Sequence, residues 1–280
     1  MELAESYRHC RRLAFGHYEN FPVASWILGP ARRDAVAAVY AFARQADDYS
    51  DEAPYAGDRV RLLKAWMARL DRPADGHPVF TALADARRRW GLPRQALADL
   101  VRAFLLDCRK SRYRDFDELL DYCRLSAEPV GRLLLRIYGA ETPATLAASD
   151  DICAGLQLAN HWQDLRSDAQ DRDRVYLPGE DMARHGVAVE QLREGRWTPG
   201  LGLLMRLEVD RAEALFTSGQ GLPGLLPRSL GLQVALTLAG GRRILSKIRA
   251  QGYDTLARRP RLDLADGPGL AWRAWAGWRS

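Results

Sequence analysis

The sequence predicts an all-α protein. Apolar residues recur at the three- and four-residue spacing of helices in nine segments, whereas no segment alternates apolar and polar residues for long. Glycine and proline clusters separate these segments and supply the breaks between them. The predicted helices cover residues 4–18, 31–50, 57–70, 79–90, 94–110, 116–138, 144–168, 203–216 and 230–250.

Length and composition indicate one globular domain with a short tail. The chain has 280 residues, of which 47% are hydrophobic, enough for a sizeable core. Its net charge of +5 is almost all arginine and is scattered along the chain, so the sequence does not favour a nucleic-acid partner. We expect a helical domain over residues 1–257 and a basic, tryptophan-rich tail over residues 258–280.

Cysteine spacing and hydropathy favour a cytoplasmic protein. The four cysteines form no CxxC pair, as expected for reduced thiols. The first ten residues are charged and lack the apolar core of a signal peptide. The most apolar run, residues 229–241, is too short to span a bilayer.

The segment YAFARQADDYSD, residues 40–51, concentrates charge on a helix that is otherwise apolar. At about 100° per residue, Tyr40, Arg44, Asp47 and Asp51 fall in one narrow arc, with Asp48 at its edge. Like charges one turn apart destabilise a helix, so a cation is expected to neutralise them. Oxygen-rich sites of this kind suit Mg²⁺. A solvated acidic face is the alternative interpretation.

A second polar stripe lies in GLQLANHWQDLRSD. Gln157, Asn160, Asp164 and Asp168 fall within an arc of about 80° on a predicted helix. One such stripe is typical of an ordinary amphipathic helix. Two acidic stripes on two apolar helices instead favour a pair that faces across a cavity, where Mg²⁺ would bridge carboxylates to phosphate oxygens. The pattern therefore predicts a diphosphate clamp above an apolar pocket.

Four motifs give the chain a resemblance to the squalene/phytoene synthase family. The two aspartate segments resemble its paired motifs, and residues 173–178, DRVYLP, resemble its R-x-Y-x-P continuation. Residues 122–131, YCRLSAEPVG, resemble its helix break, and we expect Pro129 and Gly131 to interrupt a helix near the cavity. The resemblance implies an all-α isoprenoid synthase bundle around a central apolar cavity.

The resemblance also assigns roles to individual residues. It implies two or three Mg²⁺ ions held by carboxylates, with an amide as a further ligand, and a second group of side chains that bind the diphosphate substrate. The implied metal ligands are Asp47, Asp48, Asp51, Asn160, Asp164 and Asp168. The implied substrate-binding residues are His17, Phe21, Tyr40, Arg44, Tyr122, Gln157, Asn160, Arg174 and Tyr253, and the implied catalytic residues are Asp47, Asp51, Asp164, Asp168 and Tyr176.

Residues 17–25, HYENFPVAS, resemble the branch of this family that serves bacterial hopanoid synthesis. That branch converts presqualene diphosphate and water to hydroxysqualene and diphosphate. Glu128 stands where the branch is expected to have asparagine, which leaves the inner lining of the pocket open. The one GxGxxG match, residues 219–224, contains a proline and follows a helix. It therefore fails the test for a dinucleotide site, and no nicotinamide cofactor is expected.

Two alternatives remain open. The protein could condense two prenyl diphosphates head to head into presqualene diphosphate, squalene or phytoene. It could also be a helical assembly factor of the same fold, although the intact aspartate motifs argue against a purely structural role. In the tail, Trp272, Trp275 and Trp278 lie near one helical face. They suit either transient contact with the inner membrane or a terminus that is frayed by Gly267-Pro268-Gly269 or packed on its own domain.

Overall fold

The computed structural model describes residues 2–16, 29–72 and 76–279. Helices dominate this part of the chain, and two short strands pair with each other. The helices are α1 (Leu3–Gly16), α2 (Pro30–Asp51), α3 (Arg59–Ala68), α4 (Pro78–Trp90), α5 (Arg94–Asp107), α6 (Phe116–Ser126), α7 (Glu128–Tyr138), α8 (Pro143–Asp171), α9 (Gly179–Arg184), α10 (Val189–Arg193), α11 (Pro199–Gly219), α12 (Leu222–Leu225), α13 (Arg228–Ala250) and α14 (Gly267–Arg279), and the strands are β1 (Arg112–Tyr113) and β2 (Val175–Pro178).

The predicted all-α class is confirmed, and within the described residues each predicted segment contains helix. The segment predicted at 116–138 consists of two helices that meet at Ala127, whose φ of −122° lies outside the helical region. The expected break is therefore present, two residues before Pro129. That proline lies in the first turn of α7, where its missing N–H costs no helical hydrogen bond.

The centre of the bundle is α8, the longest helix in the described ranges. It packs against α7, α11 and α13, while α2 packs against α1, α4 and α5 on the other side. Trp162 of α8 is fully buried. Near α2, the Phe42 and Trp66 rings stack at 5.8 Å, and the Trp66 indole donates a hydrogen bond to the Phe42 carbonyl at 3.2 Å. These large buried side chains pack α2 and α8, the two helices that carry the aspartate motifs, against the core.

Close contact between α7 and α8 depends on a glycine. A Cβ atom at Gly131 would lie 2.3 Å from Ser149 Oγ and 2.7 Å from Cys153 Sγ, closer than real side chains approach each other. The expectation that Gly131 breaks the helix is therefore wrong, because the break lies at Ala127. Gly131 instead permits α7 and α8 to approach each other closely.

The parallel pair of β1 and β2 was not predicted from the sequence. Arg112 lies opposite Val175 and Tyr113 opposite Pro178, with an irregular register between them. Strands of two and four residues are too short for a period-two pattern. Their pairing fixes β2, which carries the tyrosine and proline of the R-x-Y-x-P motif, and Tyr176 of β2 contacts Asp107 at the C-terminal end of α5.

The tail forms helix α14, which packs against α13. The interpretation that Gly267-Pro268-Gly269 prevents a helix is therefore wrong. Asp266, just before α14, is buried and accepts a hydrogen bond from Arg243 at 2.6 Å. Trp272 keeps 66% of its surface exposed. Among the helices that the structure describes, none is both long and apolar enough to cross a membrane.

Candidate active site

A cavity of about 500 Å³ opens between α2, α5, α6, α7 and α8. Carboxylates from α2 and α8 line one end, and apolar side chains from α2, α5 and α7 line the rest. The two stripes therefore face one cavity, as the sequence predicted. Of the predicted site residues, the cavity wall contains Tyr40, Arg44, Asp47, Asp51, Tyr122, Gln157, Asn160, Asp164, Asp168, Arg174 and Tyr176.

On the α2 side, arginines contact every carboxylate of the motif. Arg44 pairs with Asp47 at 3.3 Å and with Asp48 at 2.8 Å. Asp51 pairs with Arg174 Nη2 at 2.9 Å and with Arg172 Nε at 3.1 Å. Burial opposes the charged form of Asp51, but the two guanidinium groups and a neighbouring serine hydroxyl outweigh it, and the pKa of Asp51 is lowered.

On the α8 side, the two aspartates differ. Both carboxylate oxygens of Asp164 accept hydrogen bonds from Arg259, one of them at 2.9 Å from Nη2. Asp168 is buried and pairs with Arg172 Nη1 at 3.1 Å. Burial, and then the charge of Asp164 one turn away, raise the pKa of Asp168 to about 7. Additional positive charge at this end of the cavity would favour the ionised form of Asp168.

The donor set fits Mg²⁺ bound through few protein ligands. In the described ranges, no three His, Cys, Asp or Glu side chains gather closely enough to bind a single ion. Mg²⁺ does not need such a cage, because it usually keeps several waters and bridges one or two carboxylates to phosphate oxygens. Asp47, Asp51, Asp164 and Asp168 offer carboxylates of this kind on opposite walls of the cavity.

A cluster of rings and one carboxylate borders the acidic end. Asp107, the last residue of α5, accepts hydrogen bonds from the hydroxyls of Tyr122 at 2.8 Å and Tyr176 at 3.1 Å. The His161 ring stacks on the Tyr176 ring with centroids 3.6 Å apart. The Tyr113 ring of β1 also stacks on Tyr176, at 5.5 Å, and meets the Tyr122 ring edge to face at 5.6 Å. The cluster ties α5, α6, α8 and β2 together at the site.

Burial controls the charge of this cluster. Burial, and then the nearby Arg174 guanidinium, lower the pKa of His161 to about 3, so the imidazole is neutral at physiological pH. Burial raises the pKa of Asp107 to about 6, although Arg174 and the two tyrosine hydroxyls oppose the rise. The ring cluster therefore adds no positive charge to the cavity.

Sequence reasoning missed four residues that the structure brings to the site: Asp107, His161, Arg172 and Arg259. Asp107 ends an apolar run, AFLLD, and an acidic residue in that position was a usable signal. His161 and Arg172 lie within or beside the quoted motifs. Arg259, from the stretch assigned to the tail, carried no local signal.

Other predicted residues lie elsewhere. Asp48 pairs with Arg44 but does not line the cavity, and Tyr253 lies beyond the end of α13, away from the cavity wall. Their metal and diphosphate roles remain predictions. Glu128 accepts a hydrogen bond from Arg132 at 3.0 Å and is not in the cavity wall, which answers the question about the inner lining. His17 and Phe21 lie outside the described residues.

A second cavity of about 200 Å³ lies between α7, α8, α12 and α13. Its walls are almost entirely apolar, and it shares Val130 and Leu134 with the first cavity. Two side chains of α7 therefore separate the spaces, and apolar surroundings continue beyond the first cavity.

The helical bundle, with two aspartate-bearing helices facing across an apolar cavity, is the architecture of the isoprenoid synthases. Residues 15–266 match the family model described as squalene/phytoene synthase, and the chain belongs to that family. The hydroxysqualene synthase of Rhodopseudomonas palustris is 38% identical over 246 residues, which are 87% of this chain and 83% of that protein.

Two further relatives bear on the branch. The phytoene synthase of Thermus thermophilus is 36% identical over 255 residues, covering 90% of this chain and 86% of that protein. The crystal structure of squalene synthase HpnC from Alicyclobacillus acidocaldarius has 40% sequence identity and a TM-score of 0.83, and covers 90% of this chain and 96% of that one. Relatives with different named products thus share this fold and most of the chain.

Proposed function

We propose that this protein is a hydroxysqualene synthase, which converts presqualene diphosphate and water to hydroxysqualene and inorganic diphosphate. The observation that carries the proposal is the single cavity with carboxylates and arginines at one end and apolar walls at the other. A molecule with a diphosphate head and a long hydrocarbon body matches that division. The choice of branch is supported by the 38% identity to the hydroxysqualene synthase of Rhodopseudomonas palustris.

The acidic end would bind the diphosphate and assist its departure. Mg²⁺, when bound, supplies positive charge that stabilises the developing negative charge on the leaving group. The carboxylates that would hold it are Asp47, Asp51, Asp164 and Asp168. Arg44 and Arg174 line the same end, where guanidinium groups can donate bidentate hydrogen bonds to phosphate oxygens.

The walls would then protect the carbocation left behind. Tyr122 and Tyr176 line the cavity, and the π-electrons of aromatic rings attract positive charge. Because the His161 imidazole is neutral, it does not repel a cation beside it. Phe104 and the apolar side chains of α7 line the cavity and would keep bulk water away, so the cation would not be quenched at random.

Hydroxysqualene formation needs one water molecule at a defined carbon. The Gln157 and His161 side chains are hydrogen-bonded to each other through their Nε2 atoms at 3.4 Å in the cavity wall, and both precede Asp164 on α8. We infer that these side chains hold the attacking water. The cation would react with the water oxygen, and the released proton would pass to the inorganic diphosphate formed in the same reaction.

The test is product analysis with purified protein and Mg²⁺. Presqualene diphosphate, without NADPH, should give hydroxysqualene, and water labelled with heavy oxygen should deliver its label to the product hydroxyl. The absence of label in the product would contradict water capture. If presqualene diphosphate does not react, the hydroxysqualene synthase proposal fails.

Head-to-head condensation is the second candidate, favoured by the 36% identity to the phytoene synthase of Thermus thermophilus. The same assay separates the two. If farnesyl diphosphate alone is converted to a triterpene diphosphate or hydrocarbon, the protein is a condensing enzyme and the first proposal is wrong.

A further inference from the structure

The chain beyond α13 returns to the site helix as a strap, which we define as residues 254–263. Hydrogen bonds fix its backbone to α8 on both sides of Arg259. Gln163 Nε2 donates to the Pro260 carbonyl at 2.7 Å, and Arg166 Nη1 donates to the Leu256 carbonyl at 3.0 Å. The strap therefore holds Arg259 beside the turn of α8 that carries Asp164.

The side chain of Arg259 takes both oxygens of Asp164. Nε donates to Oδ1, and Nη2 donates to Oδ2 at 2.9 Å. This bidentate geometry is the strong form of an arginine–carboxylate pair. The Arg259 side chain is 34% exposed and that of Asp164 26%, so the pair lies at the rim of the cavity and can separate without disturbing the core.

The pair conflicts with metal binding at the same carboxylate. A divalent cation on Asp164 would compete for oxygens already used by Arg259, and it would be repelled by the positive charge of the guanidinium group. The strap prevents Arg259 from moving far from the rim. Its guanidinium, once displaced, is therefore left beside the space that a metal-bound diphosphate would occupy.

We propose that Arg259 is a positioning residue that holds Asp164 in the metal-free protein and exchanges it for the diphosphate group when Mg²⁺ binds. The competition between Arg259 and Mg²⁺ for Asp164 follows from the observed pair alone. The later contact of Arg259 with the diphosphate group rests on the proposed function. The exchange orders binding: the arginine keeps Asp164 compensated until the metal arrives, and then it becomes a donor to the phosphate oxygens.

One variant, Arg259→Gln, should change the affinities for Mg²⁺ and for diphosphate in opposite directions. Arg259→Gln removes a competitor, so Mg²⁺ should bind the substrate-free protein roughly five-fold more tightly or better, within the range of ordinary coupling energies between two ligands. With Mg²⁺ saturating, inorganic diphosphate should bind roughly ten-fold more weakly, as expected for loss of a charged hydrogen-bond donor. Arg259→Lys keeps the charge without the bidentate fork, and its affinities should lie between those of wild type and Arg259→Gln.

Both affinities can be measured by isothermal titration calorimetry, with Mg²⁺ alone and then with inorganic diphosphate at saturating Mg²⁺. Arg258→Gln is the matched control, because it makes the same charge change at the exposed neighbouring position of the strap, and it should leave both affinities at wild-type values. Thermal unfolding of each variant checks that the fold is intact.

Unchanged Mg²⁺ affinity in Arg259→Gln would overturn the proposal, and so would weaker binding of both ligands, the signature of a purely structural role. Neither measurement uses presqualene diphosphate. The hydroxysqualene assay could fail while Arg259→Gln still binds Mg²⁺ more tightly and inorganic diphosphate more weakly. That outcome would refute the proposed function and leave the exchange of Arg259 in place.

Discussion

The Asp107→Asn variant tests the ring cluster through the pH dependence of the protein's stability. The Asp107 carboxylate accepts both tyrosine hydroxyls, and burial raises its pKa from 3.8 to about 6. A folded-state pKa above the unfolded value means that folding favours the neutral carboxyl. Its contribution to stability is therefore fully present below pH 3.8 and is lost as the pH rises through about 6.

The size of that loss follows from the two pKa values. The difference between 3.8 and about 6 corresponds to ~3 kcal/mol of unfolding free energy between acidic and neutral pH. Asparagine cannot ionise, so the variant lacks this loss. The unfolding free energy of Asp107→Asn minus that of wild type should increase by ~2 kcal/mol between pH 4 and pH 7.5, because part of the loss already occurs below pH 4, whatever the constant cost of the substitution.

Urea unfolding in EDTA, followed by circular dichroism at several pH values, measures this difference without metal. If this difference in unfolding free energy rises with pH, with its midpoint between pH 3.8 and about 6, the result agrees with the structure. If the difference between the two proteins is the same at pH 4 and pH 7.5, then Asp107 is not buried as described and the reasoning about the cluster is wrong.

Three further changes test other parts of the molecule. Asp47→Ala should abolish turnover while helical content by circular dichroism stays at the wild-type level, and activity that persists in this variant or in EDTA would contradict the metal site. Gly131→Ala, whose Cβ would lie 2.3 Å from Ser149 Oγ, should destabilise the protein by about 1–3 kcal/mol in thermal unfolding; Gly57→Ala, with open space around it, should change stability by less. Trp272→Ala removes an exposed ring from α14 and should reduce flotation with anionic vesicles if the tail contacts membranes, whereas unchanged flotation would refute that contact.

The sequence alone predicts the helices and both polar stripes because these features repeat within one element. Asp47 and Asp51 share a face of α2, and Asp164 and Asp168 share a face of α8, by helical geometry alone. Two stripes with no partners of their own then predict that the helices face each other. The short strand β2 could not be predicted in this way, since its pairing with β1 joins residues far apart in the chain.

The difference between patterns within one element and contacts between elements also explains which site residues were missed. Asp107 becomes part of the site because Tyr122 and Tyr176, from two other elements, donate hydrogen bonds to it. Arg259 becomes part of it because the strap folds back onto α8. Neither contact has a local pattern, so no reading of spacing within one segment would have found it.

The arginines also refine the argument that led from acidic stripes to a metal. Crowded carboxylates require positive charge, but spacing cannot say whether that charge is Mg²⁺ or a guanidinium group. In the structure, Arg44 compensates its own helix at i+3 and i+4, an ordinary stabilising arrangement. Arg172 likewise reaches Asp168 at i+4 from the end of α8, whereas Arg259 reaches Asp164 from the strap. An arginine held by a separate element, as Arg259 is, can leave its carboxylate without unwinding the helix, and in our proposal that freedom lets Asp164 accept the guanidinium group first and a metal afterwards.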